Sequence, residues 1–168
     1  MHGRIRSGLG LVVLLLVGCS FQLRGQAQLP PEMTVTYVQS QTAIGTPPGA
    51  LSRKLQTLLA SNGVTVTRDP TQATATITVL HEGSGWRAMV ADRFGIKREY
   101  WLIYDASYQV TLSNGKTLIP AEGISASRSL LFDENRVLGF KAAQESLVDS
   151  IAEEIAWQII RRLQALKF

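Results

Sequence analysis

The sequence predicts an α+β fold, a mainly antiparallel or mixed β-sheet with two helices packed on one face, in the order β-α-β-β-β-β-α. Residues 99–112 alternate in polarity. Tyr100, Leu102, Tyr104, Ala106, Tyr108, Val110 and Leu112 share one side, and Asp105, Ser107, Gln109 and Thr111 share the other. Such a strand has one face on a core and one mostly on water. Two other segments repeat apolar residues at helical spacing: Leu51, Leu55, Leu58 and Leu59, then Leu147, Ile151, Ile155 and Ile159. One-sided strands and one-striped helices bury their apolar surface against each other, which defines the class.

Residues 33–39 are predicted as the first strand, with Met33, Val35 and Tyr37 on one face. A Pro/Gly-rich loop at 45–49 precedes a helix starting near Pro48, and Asn62-Gly63 ends that helix because both residues tolerate the left-handed conformation. A short strand at 64–67 follows. Residues 75–90 are β-rich around Gly83-Ser84-Gly85, read as a bulge or kink. Trp101 and Ile103 break the polar side of the 99–112 strand and suggest a local apolar patch. Asn114-Gly115 is a hairpin turn, and residues 117–132 return with Ile124, Ala126, Leu130 and Phe132 in phase. Pro120 marks an edge or an irregular beginning. Asp133 or Asn135 can cap the last helix, Glu153 and Glu154 lie on its polar side, and Arg161 and Arg162 suit the negative end of its dipole.

The chain of 168 residues supports one domain, and 45% hydrophobic with 18% charged residues is a globular composition. Arg4 and Arg6 lie ahead of the domain, so the +4 formal charge falls to about +2 without them, too mild to argue for nucleic-acid binding. One cysteine excludes an intramolecular disulfide, and with one histidine beyond His2 it leaves no Cys/His metal or redox site; no cofactor is expected.

Arg4 and Arg6 precede a run at 9–17 that is apolar apart from Gly10. The run is about half the length that spans a bilayer and has the form of a secretory signal peptide. Leu16-Val17-Gly18-Cys19 resembles the lipobox of bacterial lipoproteins. The resemblance implies a signal peptide over 1–18, lipid attachment at Cys19, a tether over 19–32 and a single domain over 33–168. Acylated termini of this kind are held firmly, at about 0.8 kcal/mol for each buried methylene. Ser20, where the family rule for inner-membrane retention needs Asp, implies export to the outer membrane.

Gly18-Cys19-Ser20-Phe21-Gln22-Leu23-Arg24, Leu51-Ser52-Arg53, Leu59 and Asn62-Gly63-Val64 are followed by Glu99-Tyr100, Ser127-Arg128-Ser129 and Ile160-Arg161-Arg162-Leu163. Their order and spacing over nearly the whole mature chain is a resemblance to the LptE family of lipopolysaccharide-assembly lipoproteins. It implies an outer-membrane lipoprotein largely inside the lumen of the β-barrel translocon LptD, supporting its assembly and binding lipopolysaccharide. The long polar C-terminal tail of some members has no counterpart here.

On that reading, Arg128, in phase with apolar neighbours, is a candidate for a lipopolysaccharide phosphate, for which a forked guanidinium is suited. The bland alternative is an arginine whose stem covers apolar surface. Arg93, Lys97, Arg98 and Lys141 are candidates for the same basic patch. Trp157, roughly opposite Ile151 on the helix wheel and so outside the simplest core, and Trp101 are candidates for partner contact. Catalytic readings are poor. Ser113-Asn114-Gly115-Lys116 has a serine-x-x-lysine spacing that a turn explains, and His81 has no predictable Ser or Asp partner. A non-enzymatic protein is expected. The alternative function is a periplasm-facing lipoprotein that binds a lipid or small ligand in a deep apolar pocket without a barrel partner.

Overall fold

The computed structural model describes residues 29–41, 48–91, 97–131 and 137–166, with the side chains at 90, 91, 97, 98 and 137–140 left out. The leader, Cys19, Arg93 and the expected caps Asp133 and Asn135 lie outside the described residues.

Five strands form one sheet: β1 (Val35–Ser40), β2 (Thr65–Thr67), β3 (Ala75–Ala91), β4 (Lys97–Leu112) and β5 (Thr117–Leu131), in the order β2-β1-β3-β4-β5. β1 runs parallel to β2 and β3, while β3–β4 and β4–β5 are antiparallel. The mixed sheet follows from connection chemistry. Parallel β1 and β2 need a crossover, supplied by helix α1 (Ala50–Ser61), whereas tight turns suffice for antiparallel neighbours. Helix α2 (Val137–Gln164) closes the domain.

The alternation of β4 sets the core. Leu102, Tyr104, Ala106, Tyr108, Val110 and Leu112 are all buried, under Leu51, Leu55, Leu58 and Leu59 of α1 and Ile151, Ile155 and Ile159 of α2. Both helices therefore cover one face of the sheet, and the α+β expectation is met. The turns behave as their residues dictate. Gly63 at φ 84 closes α1, with its N–H on the Ala60 carbonyl and Val64 N–H on Leu59. Gly115 at φ 83 makes the β4–β5 turn, where Asn114 Oδ1 accepts the Lys116 N–H.

Two expectations are corrected. Met33 lies buried in a 3-10 turn (Pro31–Met33), and β1 buries Thr36 and Val38 while Val35 and Tyr37 stay half-buried. The turn after Pro30, which is itself buried, shifts the phase of the strand. The chain is also packed on the core from Leu29 onward. In β3 the register shifts between Val79 and His81, where β1 pairing ends, and again between Ala88 and Ala91, while Gly83, Ser84 and Gly85 pair with β4 without a break. Skipping Leu80 reverses the inward set, from Ala75, Ile77 and Val79 to Glu82, Ser84 and Trp86, which lie opposite Ala106, Tyr104 and Leu102.

That reversal brings Glu82 under α1. Its Oε1 accepts the Leu51 N–H at 3.0 Å and the Tyr104 O–H at 2.5 Å. A carboxylate at a helix N-terminus satisfies an orphan donor and suits the dipole. Gly49, the N-cap residue, makes no side-chain bond, and a Cβ there would stand 2.1 Å from Glu82 Oε2. The strand thus supplies the cap, and a side chain at Gly49 would have to displace the Glu82 carboxylate from it.

Burial, and then the Glu82 bond, push the Tyr104 phenol well above its ordinary range. Burial, followed by the Glu122 carboxylate, pushes Tyr108 up to about 12 against a nearby Arg162. A phenol raised in the folded state favours folding fully below its unfolded pKa of 10.0 and loses that contribution as pH rises toward 12. The urea midpoint is expected to fall between pH 10 and pH 12 in step with late phenolate absorbance. A midpoint constant over that window contradicts the assignment.

Candidate functional site

The described surface divides into a helix-covered side and an open side of the long strands. Cross-strand register assigns each residue. Arg87 lies opposite Trp101 and Trp101 opposite Ser129, Gly85 opposite Ile103 and Ile103 opposite Ser127, and Gly83 opposite Asp105 and Asp105 opposite Ser125. Because Leu102 and Tyr104 face the core, all of these face outward. Leu131, two residues beyond Ser129, shares that face. Met89, Trp101 and Leu131 are the large apolar residues left exposed among the described residues, at 49%, 40% and 75%. The patch expected from Trp101 and Ile103 is present there. With Arg87, Met89, Ser125 and Ser127 these two line a shallow depression of about 290 Å³.

The predicted cations are distributed differently. Arg128 lies opposite Leu102 and so faces the helices, where it is ion-paired with Glu154 of α2, and its Nη1 donates to the Ser127 carbonyl at 3.2 Å. Glu154, expected on the polar side, is the residue that receives it. Lys97 begins β4 opposite Ala91, with Arg98 next, about 17 Å along the strand from the level of Arg128. Lys141 is exposed near the start of α2, about 20 Å along the helix from Glu154. Arg128 is thus set apart from Lys97, Arg98 and Lys141 along both elements. Trp157, expected off the buried stripe, is half-buried against the core, because Ala156 and Ile160 widen that stripe.

Two constellations were not anticipated from the sequence. His81 Nε2 and Asp105 Oδ2 stand 2.8 Å apart on the open face, diagonal neighbours across β3 and β4, so the structure supplies an Asp partner that could not be predicted from the sequence. Both are more than half exposed, and among the described residues no serine hydroxyl bonds to the pair. The second is a cleft of about 810 Å³ at the start of α1, lined by Gly49, Arg53, Glu82, Ser84, Tyr104 and Asp149 among others. It is open, and its walls mix carboxylates with hydroxyls, unlike the deep apolar pocket of a lipid carrier. Residue spacing gives no sign of either, since each joins residues on different elements. Among the described residues no group of three metal-ligating side chains occurs, and no helix is long and apolar enough to cross a membrane.

This geometry has relatives. A family profile described as "LptE: Lipopolysaccharide-assembly" matches residues 31–163. The chain is 28% identical over 156 residues to the LPS-assembly lipoprotein LptE of Yersinia enterocolitica, covering 92% of this chain and 72% of the relative, and equally to that of Yersinia pestis. Among solved structures, it superposes on the uncharacterized lipoprotein B of Nitrosomonas europaea with a TM-score of 0.69 at 21% identity, over 88% of this chain and 92% of that one. The rare lipoprotein B of Shewanella oneidensis gives a TM-score of 0.62 at 19% identity, over 77% and 92%. These structures share the fold. The chain belongs to the LptE family of lipopolysaccharide-assembly lipoproteins, and its role lies in lipopolysaccharide assembly.

Proposed function

We propose that the chain is a non-enzymatic outer-membrane lipoprotein that plugs the β-barrel translocon LptD, supports its assembly and binds lipopolysaccharide during delivery to the cell surface. The observation that carries this reading is the uncovered face of the long β3–β4–β5 sheet in a chain of the LptE family. A sheet with one face on its own core and an aromatic-bearing second face is suited to a large partner. Trp101 on that face and Trp157 on α2 are the proposed partner contacts. Arg128, Lys141, Arg93, Lys97 and Arg98 are the proposed lipopolysaccharide contacts. Lipid on Cys19 holds the protein at the outer membrane on the periplasmic side, with the domain inside the barrel lumen. Binding is the whole function, with no bond made or broken and no cofactor required.

Affinity isolation from detergent-solubilised membranes is expected to recover LptD at about one to one, and recovery of no barrel protein contradicts the partnership. The Cys19→Ala variant is expected to incorporate no labelled fatty acid and to keep its leader, as read by gel mobility. Labelling at the normal level places the lipid elsewhere. For a phosphate to reach Arg128, the Glu154 pair must open. Arg128→Asp is therefore expected to weaken lipopolysaccharide binding about tenfold with barrel recovery intact, whereas Glu154→Gln strengthens it. Unchanged affinity in both variants makes Arg128 structural.

A further inference from the structure

β5 is the last strand of the sheet, and among the described residues no strand pairs with its outer edge. Edge strands are ordinarily guarded by proline, lysine or a bulge, because their free N–H and C=O groups accept any extended chain. β5 has such guards only at its beginning, where Pro120 falls in a break of register between Ile119 and Glu122. From Glu122 to Leu131 the strand pairs with β4 without a break and contains neither proline nor lysine. That run presents an open edge about 33 Å long.

The charges along this edge are symmetrically placed. Glu122 and Arg128, opposite the buried Tyr108 and Leu102, share the helix-facing side of β5, and Ser125 lies midway between them. On α2, Glu154 pairs with Arg128 and Arg162 stands 3.6 Å from Glu122, with Gln158 midway between those two. Strand and helix thus carry opposite polarity about one level of the molecule. A two-fold axis at that level, normal to the sheet, sets β5 antiparallel to the same strand of a second copy, with Ser125 opposite Ser125. Glu122 then meets Arg128 of the copy, and Arg128 meets its Glu122. Along the two α2 helices, Glu154 likewise comes level with Arg162 of the copy. Ile124 and Ala126, each half-buried, lie opposite one another across the axis and lose further exposure to water. Registers centred on Glu122 or on Arg128 instead set like charges directly opposite, which is destabilising. An isologous contact of this kind closes after two copies, so it covers the β5 edge without propagating.

We propose that the chain, while no other strand occupies its β5 edge, pairs with a second copy of itself through residues 122–128, in the antiparallel register centred on Ser125. Backbone hydrogen bonds and the Ile124–Ala126 contacts hold the two copies together. The charges select the register, since exposed ion pairs add little affinity. A copy held one to one inside a barrel has no second copy at its edge, so the pairing belongs to the chain before it meets that partner and stands independently of the partnership.

The test uses the full lipidated chain, purified without a barrel partner in density-matched detergent. Sedimentation is expected to show a dimer that dissociates on dilution. Ser125→Cys is expected to give a disulfide-linked dimer on mild oxidation, because its Cα lies about 5 Å from that of the copy. Ser129→Cys, on the same exposed face, is expected to give none, its copy lying about 27 Å away along the strand. The unmodified chain, whose one cysteine is Cys19, serves as the blank. Ser125→Lys sets like charges at the axis and is expected to weaken the dimer about fivefold with the melting temperature unchanged. Where strand geometry blocks the disulfide, nitroxide labels on the same two cysteines read the distances, short at 125 and long at 129. A monomer at every concentration overturns the proposal and leaves the edge to a strand of another chain. A dimer that cross-links equally at both positions, or shows a long distance at 125, also overturns it by assigning the contact to another register or surface.

Discussion

Tyr104 and Tyr108 of β4 lie beneath the isoleucine stripe of α2 and the leucine stripe of α1, and the rest of the molecule is arranged around that burial. Both helices use the same face of the sheet, so the other face receives no cover from the described residues. An alternating strand can bury one side only, and two helices of these lengths suffice to close that side. The open face is thus a direct consequence of how the core is built. It is also where the chain presents its exposed tryptophan.

The sheet and helices are tied at three places by polar contacts at the margin of the core. Glu82 caps α1 from β3 and receives the Tyr104 phenol, Arg128 reaches Glu154, and Arg162 approaches Glu122 at 3.6 Å. The first is largely withdrawn from water and orders a helix start that has no capping side chain of its own. The other two are exposed, where an ion pair contributes little, on the order of 1 kcal/mol or less. They orient elements that apolar packing already holds.

A function in lipopolysaccharide assembly is consistent with this division of labour. The helix-covered side carries stability. The open side lies outside the buried core and is therefore available for partners. Arg128 belongs to both descriptions, since it sits at the helix–sheet seam and is already neutralised by Glu154. Any anion that uses it competes with that carboxylate, whereas Arg87 on the open face has no such competitor among the described residues.

The amino-acid sequence by itself determined the features that depend on local periodicity and turn chemistry. These are the strand phase of β4, the buried stripes of α1 and α2, and the Asn62-Gly63 and Asn114-Gly115 endings. Each is decided by neighbours within a few residues, because the pleat and the helical turn repeat at that scale. The tertiary structure alone decided what depends on distant partners. Glu82 caps a helix 31 residues earlier, and Arg128 meets a glutamate 26 residues later. His81 finds Asp105 only through antiparallel register. The inward phase of β1 was misread for the same reason, since a proline turn and two flanking strands set it, and no alternation within six residues reports them. The bulge at Leu80, which turns Glu82 inward, likewise follows from where β1 stops pairing.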